Sequence, residues 1–292
     1  MSASNAINDA YLVTPTSERQ ALKEYAHRHL HEALMQAPWM RRALEKPLGY
    51  PGDYELMNGL YGNHFSGNTL FAKALNLGLV STPAGGAVRA RKDLIKQRLS
   101  LLLDSSTVEN RPLRILSIAA GPAQEVYELI DEREHLSRPL EVVLFDQDKR
   151  ALAFSYSRLK RVVSARFPKA VKITYLHDSI KRLLRDETIF SGFGEFDAIF
   201  SCGLFDYLQT PTAVSLARSF YANVAPGGTV YIGNMTPENP SRWFMELHLD
   251  WFLIYRERAE LEAFAQKGAP TAKIAILEEA TGINPFVTLT RG

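Results

Sequence analysis

Cysteine is all but absent. Cys202 is the one thiol in 292 residues, so no disulfide can form within the chain. No stretch approaches the roughly 20 apolar residues needed to cross a bilayer. Met1–Asn8 is polar and lacks the apolar centre of a secretion signal, so the expectation is a cytoplasmic protein. A surplus of one charge is also missing: 34 Lys and Arg stand against 32 Asp and Glu, a net +2. That balance argues against a nucleic-acid partner, which a clustered basic face would serve. Arg89, Arg91, Lys92, Lys96 and Arg98 do gather, as do Arg158, Lys160 and Arg161. Both runs alternate with apolar residues at helical spacing and read as solvated helix faces. No His, Cys and Asp set has metal-ligand spacing, so no metal is expected. The histidines at 27, 29, 31 and 135 read as surface residues; His64, His177 and His248 are better placed, and each is expected to be structural. No internal repeat is present.

What is there is an ordinary globular composition, 46% hydrophobic and 23% charged, which predicts a normal core. The length suits one large domain or two ordinary ones. From Thr16 to about Asp104 the periodicity is helical. Over Thr16–Gln36, Leu22, Tyr25, Ala26, His29, Leu30, Ala33 and Leu34 fall on one stripe, with Thr16 or Ser17 placed as N-cap. Pro38, Lys46–Asp53 and Pro83–Gly86 divide this half into several helices, the last at about Ala84–Leu103. A polar linker follows from Asp104 to Pro112, which puts the domain boundary at 110/111.

Beyond Pro112 strands and helices alternate. Strand-length apolar runs occur at Leu113–Ile118, Leu140–Phe145, Val171–Leu176, Phe196–Ser201 and Thr229–Gly233. Helical stretches lie between them at about Ala123–Glu134, Lys149–Val163, Ile180–Glu187 and Thr212–Val224. Continuous apolar strands alternating with helices predict a parallel sheet covered on both faces. One long helix is expected over about Arg242–Gln266, with Phe244, Leu247, His248, Trp251, Ile254 and Tyr255 on a single stripe. Two last strands, Lys273–Leu277 and Phe286–Thr290, are close enough to form an antiparallel hairpin. The expected fold is thus α/β, a Rossmann-like sheet of five parallel strands plus an antiparallel C-terminal hairpin. This layout resembles class I methyltransferases that use S-adenosylmethionine, more than it resembles a dehydrogenase.

Several strand ends carry residues that suit a nucleoside cofactor. The first ends in Ser117-Ile118-Ala119-Ala120-Gly121-Pro122-Ala123. A glycine turn there lets a ligand approach the backbone at the sheet's switch point. The usual methyltransferase turn has an acid followed by three alternate glycines; here Ser117 replaces the acid, Ala119 and Ala123 replace two glycines, and Gly121 remains. The second strand ends in Phe145-Asp146-Gln147-Asp148, where Asp146 is placed to accept both ribose hydroxyls, with helix capping as its alternative. Asp148 is expected to cap the next helix. After the third strand, Asp178 and Ser179 are candidates for the adenine amino group, or for an N-cap. The fourth strand is followed by Cys202-Gly203-Leu204-Phe205-Asp206-Tyr207-Leu208, in which Cys202 is a cofactor contact. Pro226-Gly227-Gly228 then makes a turn before the fifth strand. Tyr156 and Lys160 share the Tyr-x-x-x-Lys spacing of short-chain dehydrogenases, but on the wrong helix, and read as a helix face. No Asn-Pro-Pro-Tyr-type segment follows the fourth strand, which disfavours methylation of bases or amides.

Three segments narrow the resemblance: Lys46–Asn58, which contains Gly49-Tyr50-Pro51-Gly52-Asp53-Tyr54-Glu55, then Gly203–Leu208, and Asp250–Arg256. Together they are similar to a bacterial family of S-adenosylmethionine-dependent methyltransferases that includes synthases of a 3-hydroxy fatty acid methyl ester used as a quorum signal. The resemblance spans about Trp39 to the C-terminus. It implies a helical N-terminal lid or substrate domain, residues 1–110, over a cofactor-binding core, residues 111–292. The lid would present Tyr50 and Asp53 to the cofactor or acceptor, a tyrosine face suiting a sulfonium; the alternative is a tight inter-helix turn with Asp53 as N-cap. Arg256 beside Tyr255 could hold a substrate carboxylate, or pair with Asp250. Asp206 and Tyr207 are candidates to orient the acceptor or remove its proton, with capping as the alternative for Asp206. The expected activity is O-methylation of a small molecule bearing a carboxylate or hydroxyl. The alternatives are N-methylation of a small amine or amino-acid derivative, or a non-catalytic, cofactor-binding regulator. The expected partner is the small-molecule acceptor, and the reading leaves room for a homodimer.

Overall fold

The structure is a computed structural model that describes residues 3–62, 65–105, 111–186 and 188–292. His64 therefore lies outside the described residues. The first six helices are α1 (Ala3–Val13), α2 (Thr16–Leu34), α3 (Pro38–Glu45), α4 (Tyr54–Gly62), α5 (Leu70–Val80) and α6 (Pro83–Asp104). Then come β1 (Leu113–Ile118), α7 (Gln124–Asp131), β2 (Leu140–Asp146), α8 (Lys149–Arg166), β3 (Val171–His177) and α9 (Ile180–Leu183). They are followed by β4 (Phe196–Ser201), α10 (Thr210–Ala222), β5 (Val224–Gly233), α11 (Arg242–His248) and α12 (Arg258–Gly268). The chain closes with β6 (Lys273–Leu277) and β7 (Phe286–Thr290).

The chain divides into two compact units. One comprises Met1–Arg89 with Glu238–Leu253, the other Ala90–Pro237 with Ile254–Gly292. This division falls inside α6 rather than in the linker at 110/111, and it assigns α11 to the N-terminal unit.

The first unit is helical. Pro15 rather than Thr16 or Ser17 holds the N-cap position of α2, and no side chain caps it. The stripe expected on α2 is only partly covered: Ala26 is buried, while Tyr25 is 65% and Leu30 47% exposed. Tyr11 donates to Glu246 Oε2 at 2.6 Å, joining α1 to α11, and Lys23 pairs with Asp250. The bend between α3 and α4 is made by backbone that favours glycine: Gly49 and Gly52 have φ of 85° and 72°. Asp53 is buried and accepts the Glu55 and Leu56 N–H groups, both at 3.0 Å, which makes it the N-cap of α4. The Arg42 guanidinium braces the same carboxylate at 2.9 Å and Glu55 at 2.6 Å.

The second unit is a seven-stranded sheet in the order β3-β2-β1-β4-β5-β7-β6. β1 through β5 run parallel, and β7 pairs antiparallel with both β5 and β6. The inner parallel strands β1, β2 and β4 bury both faces, while β3 at the edge is mostly half-buried. Leu113 and Ile115 pack with Ile95, Leu99 and Leu103 of α6 and with α7 and α8. Leu116 and Ile118 face the opposite way, into a layer built by α10 and α12 with Phe205, Phe220 and Phe264. Side-chain alternation along the inner strands thus feeds two cores and explains their unbroken apolar runs. The Pro-Gly-Gly segment is a bulge inside β5 rather than a turn before it. The register with β4 shifts between Phe196 and Ala198, and Gly227, at φ 76°, donates to Arg291 O at 2.8 Å.

The long helix expected over Arg242–Gln266 is broken in two. α11 stops at His248, Asp250 has left-handed φ of 47°, and Trp251 N–H turns back to Met245 O at 2.9 Å. The chain regains a helix only at Arg258, behind a capping box of Glu257 and Glu260. In between, Ile254 N–H bonds Asp206 O at 2.7 Å and Arg256 N–H bonds Met235 O at 3.1 Å. Arg256 explains why the tertiary bonds win. Its guanidinium is 2% exposed and donates from Nη1 to Phe205 O at 2.8 Å and Asn234 Oδ1 at 2.6 Å, and from Nη2 to Leu208 O. Asp250, the alternative partner considered for Arg256, pairs with Lys23.

The turn after β1 reproduces a glycine-turn backbone without its glycines. Ala119, Gly121 and Ala123 have φ of 54°, 53° and 48°. An alanine held left-handed costs about 1–2 kcal/mol relative to its ordinary conformation. Ala119 is exposed and Ala123 fully buried. Ala119→Gly should therefore raise stability by about 1 kcal/mol. Ala123→Gly should be near neutral, because it also loses a buried methyl. Urea midpoints at unchanged m-value measure both, and a destabilised Ala119→Gly would contradict the strained turn. Arg256→Ala strands two buried acceptors and a half-buried carbonyl and should cost about 3 kcal/mol or more; a loss under about 1 kcal/mol would show that the guanidinium is dispensable.

Candidate functional site

In a sheet ordered β3-β2-β1-β4-β5, the helical connections leave β1 and β4 in opposite directions, opening a crevice at their carboxyl ends. The residues that follow β1, β2 and β4 converge there. Asp146, the last residue of β2, is 7% exposed, and burial holds its carboxyl above the usual range. Its Oδ2 accepts Gly121 N–H at 2.7 Å and its Oδ1 accepts Asp148 N–H at 2.8 Å. Buried Ser155 of α8 donates to Gly121 O at 2.9 Å. Both polar groups of the Gly121 peptide are thus fixed by neighbouring elements, and the turn is held rigid from below. A carboxylate has about four lone-pair positions, so two backbone donors leave Asp146 acceptor capacity for hydroxyls. A Cβ built on Gly121 meets nothing within 4 Å. Positive φ therefore favours glycine here, and the space above it is open.

The β4 end supplies charge. Cys202-Gly203-Leu204 leads into one turn of 3-10 helix, Phe205–Tyr207. Phe205 is buried against Phe264 and Phe220, with ring centroids 5.8 and 5.9 Å away. This stack turns Asp206 inward, 3% exposed, and leaves Tyr207 38% exposed. Asp206 Oδ1 accepts Met235 N–H at 2.7 Å. Burial pushes its carboxyl up to about 6, against the opposing pull of Arg91 and Arg256. Glu125, in the first turn of α7, is 4% exposed and pushed by burial up to about 7, with Arg91 again opposing. Burial also pushes the Cys202 thiol up, and the Glu125 charge adds to it.

Arg91 is the residue that sequence reasoning missed. It is 6% exposed, not part of a solvated face, and its Nη1 donates to Asn284 Oδ1 at 3.0 Å. Its phase could have revealed it: Arg91, Ile95 and Leu99 lie on one helical stripe, and the latter two are core. Asn284 is in turn set by buried Glu279, which accepts the N–H groups of Thr281, Ile283 and Asn284 at 2.6, 2.9 and 2.8 Å.

The other predicted residues divide. Ser117 is buried within β1, between Leu144 and Phe200. Asp148 caps α8 through Arg150 N–H at 2.8 Å. Ser179 caps α9, and Asp178 pairs with Arg182 at 2.8 Å while accepting Ser179 N–H. Tyr50 and Asp53 belong to the first unit, as do the aromatic residues of α11. There His248 is buried against Trp243 and Phe244, and burial lowers it to about 4. Tyr255 is half-buried beside Arg256 in the second unit, where the Arg256 donors serve the chain's own carbonyls and Asn234. His177 is exposed, its ring 3.1 Å from Gln147 O. Tyr156 and Lys160 lie on one face of α8, the ammonium 5.2 Å from the ring centroid. Among the described residues no group of His, Cys, Asp and Glu could hold a metal ion, and no helix is long and apolar enough to cross a membrane.

No family model and no curated protein matches the chain. Solved structures do. A protein from Bordetella parapertussis described as a possible exported protein matches with a TM-score of 0.66 at 17% identity, over 96% of this chain and 99% of that one. The carbon methyltransferase CurJ matches with a TM-score of 0.54 at 13% identity, over 96% of this chain and 72% of that one. The magnesium protoporphyrin IX methyltransferase ChlM of Synechocystis, with bound S-adenosylhomocysteine, matches at 0.53 and 9% identity, over 80% of this chain and 93% of that one. At these identities the likeness is one of fold: this chain shares the α/β fold of these structures.

Proposed function

We propose that the chain is an S-adenosylmethionine-dependent methyltransferase that O-methylates a carboxylate or hydroxyl of a small molecule. The observation that carries this reading is the left-handed turn at Ala119, Gly121 and Ala123, clamped by Asp146 at the switch point of this sheet. That backbone suits close approach of a ligand, and the residual acceptor capacity of Asp146 suits the two hydroxyls of a ribose. The fit supports adenosine over the β1 turn, with Asp178 and Ser179 nearest the base. When bound, the cofactor supplies an electrophilic methyl group on a sulfonium. The chain's part is to position the acceptor, exclude water and, for some acceptors, take a proton.

Asp206 is the proposed proton acceptor, because a buried carboxyl raised to about 6 is ionised yet basic near neutrality. An acceptor carboxylate needs no such help; a hydroxyl does. Tyr207 and Tyr255 are proposed to orient the acceptor.

Calorimetry with S-adenosylhomocysteine should register binding, and Asp146→Ala should weaken it by about 1.5–3 kcal/mol, the range for hydrogen bonds to a charged group. Unchanged affinity in a folded variant would remove Asp146 from the site. Acceptor class is read from pH. With a hydroxyl acceptor, turnover should rise with pH until Asp206 is ionised near 6 and then level, and Asp206→Asn should abolish it. With a carboxylate acceptor the same substitution should leave the pH profile flat.

A further inference from the structure

Three adjacent strands carry a charge at their second residue: Arg114 in β1, Glu141 in β2 and Lys172 in β3. The parallel register sets the three side by side at the amino edge of the sheet. Asp146 lies at the other end of β2, about 17 Å from Glu141 along an extended strand. On this face the next row sets Thr174 beside Val143, which belongs to the layer of Phe190 and Phe196. α8 covers the opposite face of these strands with 18 residues, whereas α9, on this face, has 4. The short helix leaves a cleft of about 180 Å³ over the strand starts, walled by Gly192 and Phe193 of the 3-10 turn Ser191–Phe193. A Cβ built on Gly192 meets nothing within 4 Å, so the space there is open.

The charges of the cleft do not cancel. Arg114 Nε meets Glu141 Oε2 at 3.1 Å. A Cβ on Gly194 would come 2.9 Å from Arg114 Nη1, so the glycine is what lets the guanidinium lie close to the turn. Asp197, beside Arg114 on β4, is met by Arg111. Among the described residues the Lys172 ammonium and the Thr174 hydroxyl have no hydrogen bond or ion pair. The lining thus keeps one unmatched positive charge and one open hydroxyl over an apolar floor. We propose that this cleft is a binding site for a small apolar carboxylate, held by the Lys172 ammonium and the Thr174 hydroxyl with its apolar body against Val143 and Phe193. The charge count selects a monoanion, and burial of the body supplies the drive for binding. The volume lies below the roughly 300–1,000 Å³ of sites for drug-sized ligands, which selects a small one. This site is separate from the crevice that holds Asp146 and Asp206 and does not rest on the cofactor reading.

The test titrates the full chain with benzoate and reads backbone amide shifts by NMR. Benzamide keeps the shape without the charge, and acetate keeps the charge without the ring. Benzoate should shift Thr174, Gly192 and Phe193 and bind more tightly than either control. Lys172→Met should weaken benzoate about two- to fivefold, the range for a part-exposed charge pair, and leave benzamide unchanged. Gly192→Leu puts a side chain into the open space of the cleft and should abolish the shift at Thr174, with folding checked by an unchanged melting temperature. Lys172 is exposed, so its variant decides the matter if Gly192→Leu does not fold. Equal affinities for benzoate and benzamide, unchanged benzoate binding in Lys172→Met, or normal binding by a folded Gly192→Leu would each overturn the proposal. Shifts confined to Asp206 and Tyr207 would overturn it too, by placing the carboxylate at the proposed acceptor site instead.

Discussion

One buried guanidinium governs the layout of the second unit's carboxyl edge. A charge removed from water is tolerated only where its donors are met, and Arg256 meets that demand with Phe205 O, Leu208 O and Asn234 Oδ1. Those acceptors lie on the loop after β4 and at the end of β5. To reach them the chain must stay extended from Trp251 to Glu257, and so it cannot continue as a helix. Asp206 is fixed by the same knot, for its carbonyl bonds Ile254 N–H and its carboxylate bonds Met235 N–H. The position of the most basic buried carboxyl after β4 is therefore a consequence of where Arg256 finds its acceptors.

Arg91 makes an instructive contrast with Arg256. Both are buried, and both lower the pull of burial on Asp206. Arg256 is met by neutral oxygens from one continuous region and acts as a structural pin. Arg91 has a fixed bond to Asn284 and lies in the field of two carboxyls that burial has driven toward neutrality. A core could replace such a cluster by apolar side chains at little cost.

Much of the sheet was legible in the sequence because parallel strands must be apolar on both faces, and those runs stand out. β1, β4, β6 and β7 begin and end where the apolar runs do. Asp148 was legible as a cap from its place after Asp146. The broken helix was not, because periodicity over Trp243–Tyr255 is satisfied locally and the competing bonds come from Asp206 and Met235, remote in sequence. Even so, Glu257 and Glu260 form a capping box that marks a fresh helix start. Arg91 was hidden by its neighbours: Lys92 and Lys96 make the same stretch look solvated, and both do pair at the surface with Glu128.

The alanines of the β1 turn show why a motif can weaken in sequence and persist in structure. What a phosphate- or ribose-bearing ligand requires of that turn is a backbone path, and glycine is only its cheapest carrier. Here the path is imposed by bonds from outside the turn. Asp146 holds the Gly121 N–H, Ser155 holds its carbonyl, and Ala120 N–H bonds Phe145 O at 3.1 Å. Three such bonds, each contributing about 0.5–1.5 kcal/mol net, are comparable with the strain of two left-handed alanines, about 1–2 kcal/mol each. Gly121 keeps its identity where the peptide is clamped on both sides and the space above it is open. Ala123 gains from the exchange, since its methyl is fully buried beneath α7. The physical content of the turn has moved from the residues within it to the side chains that surround it.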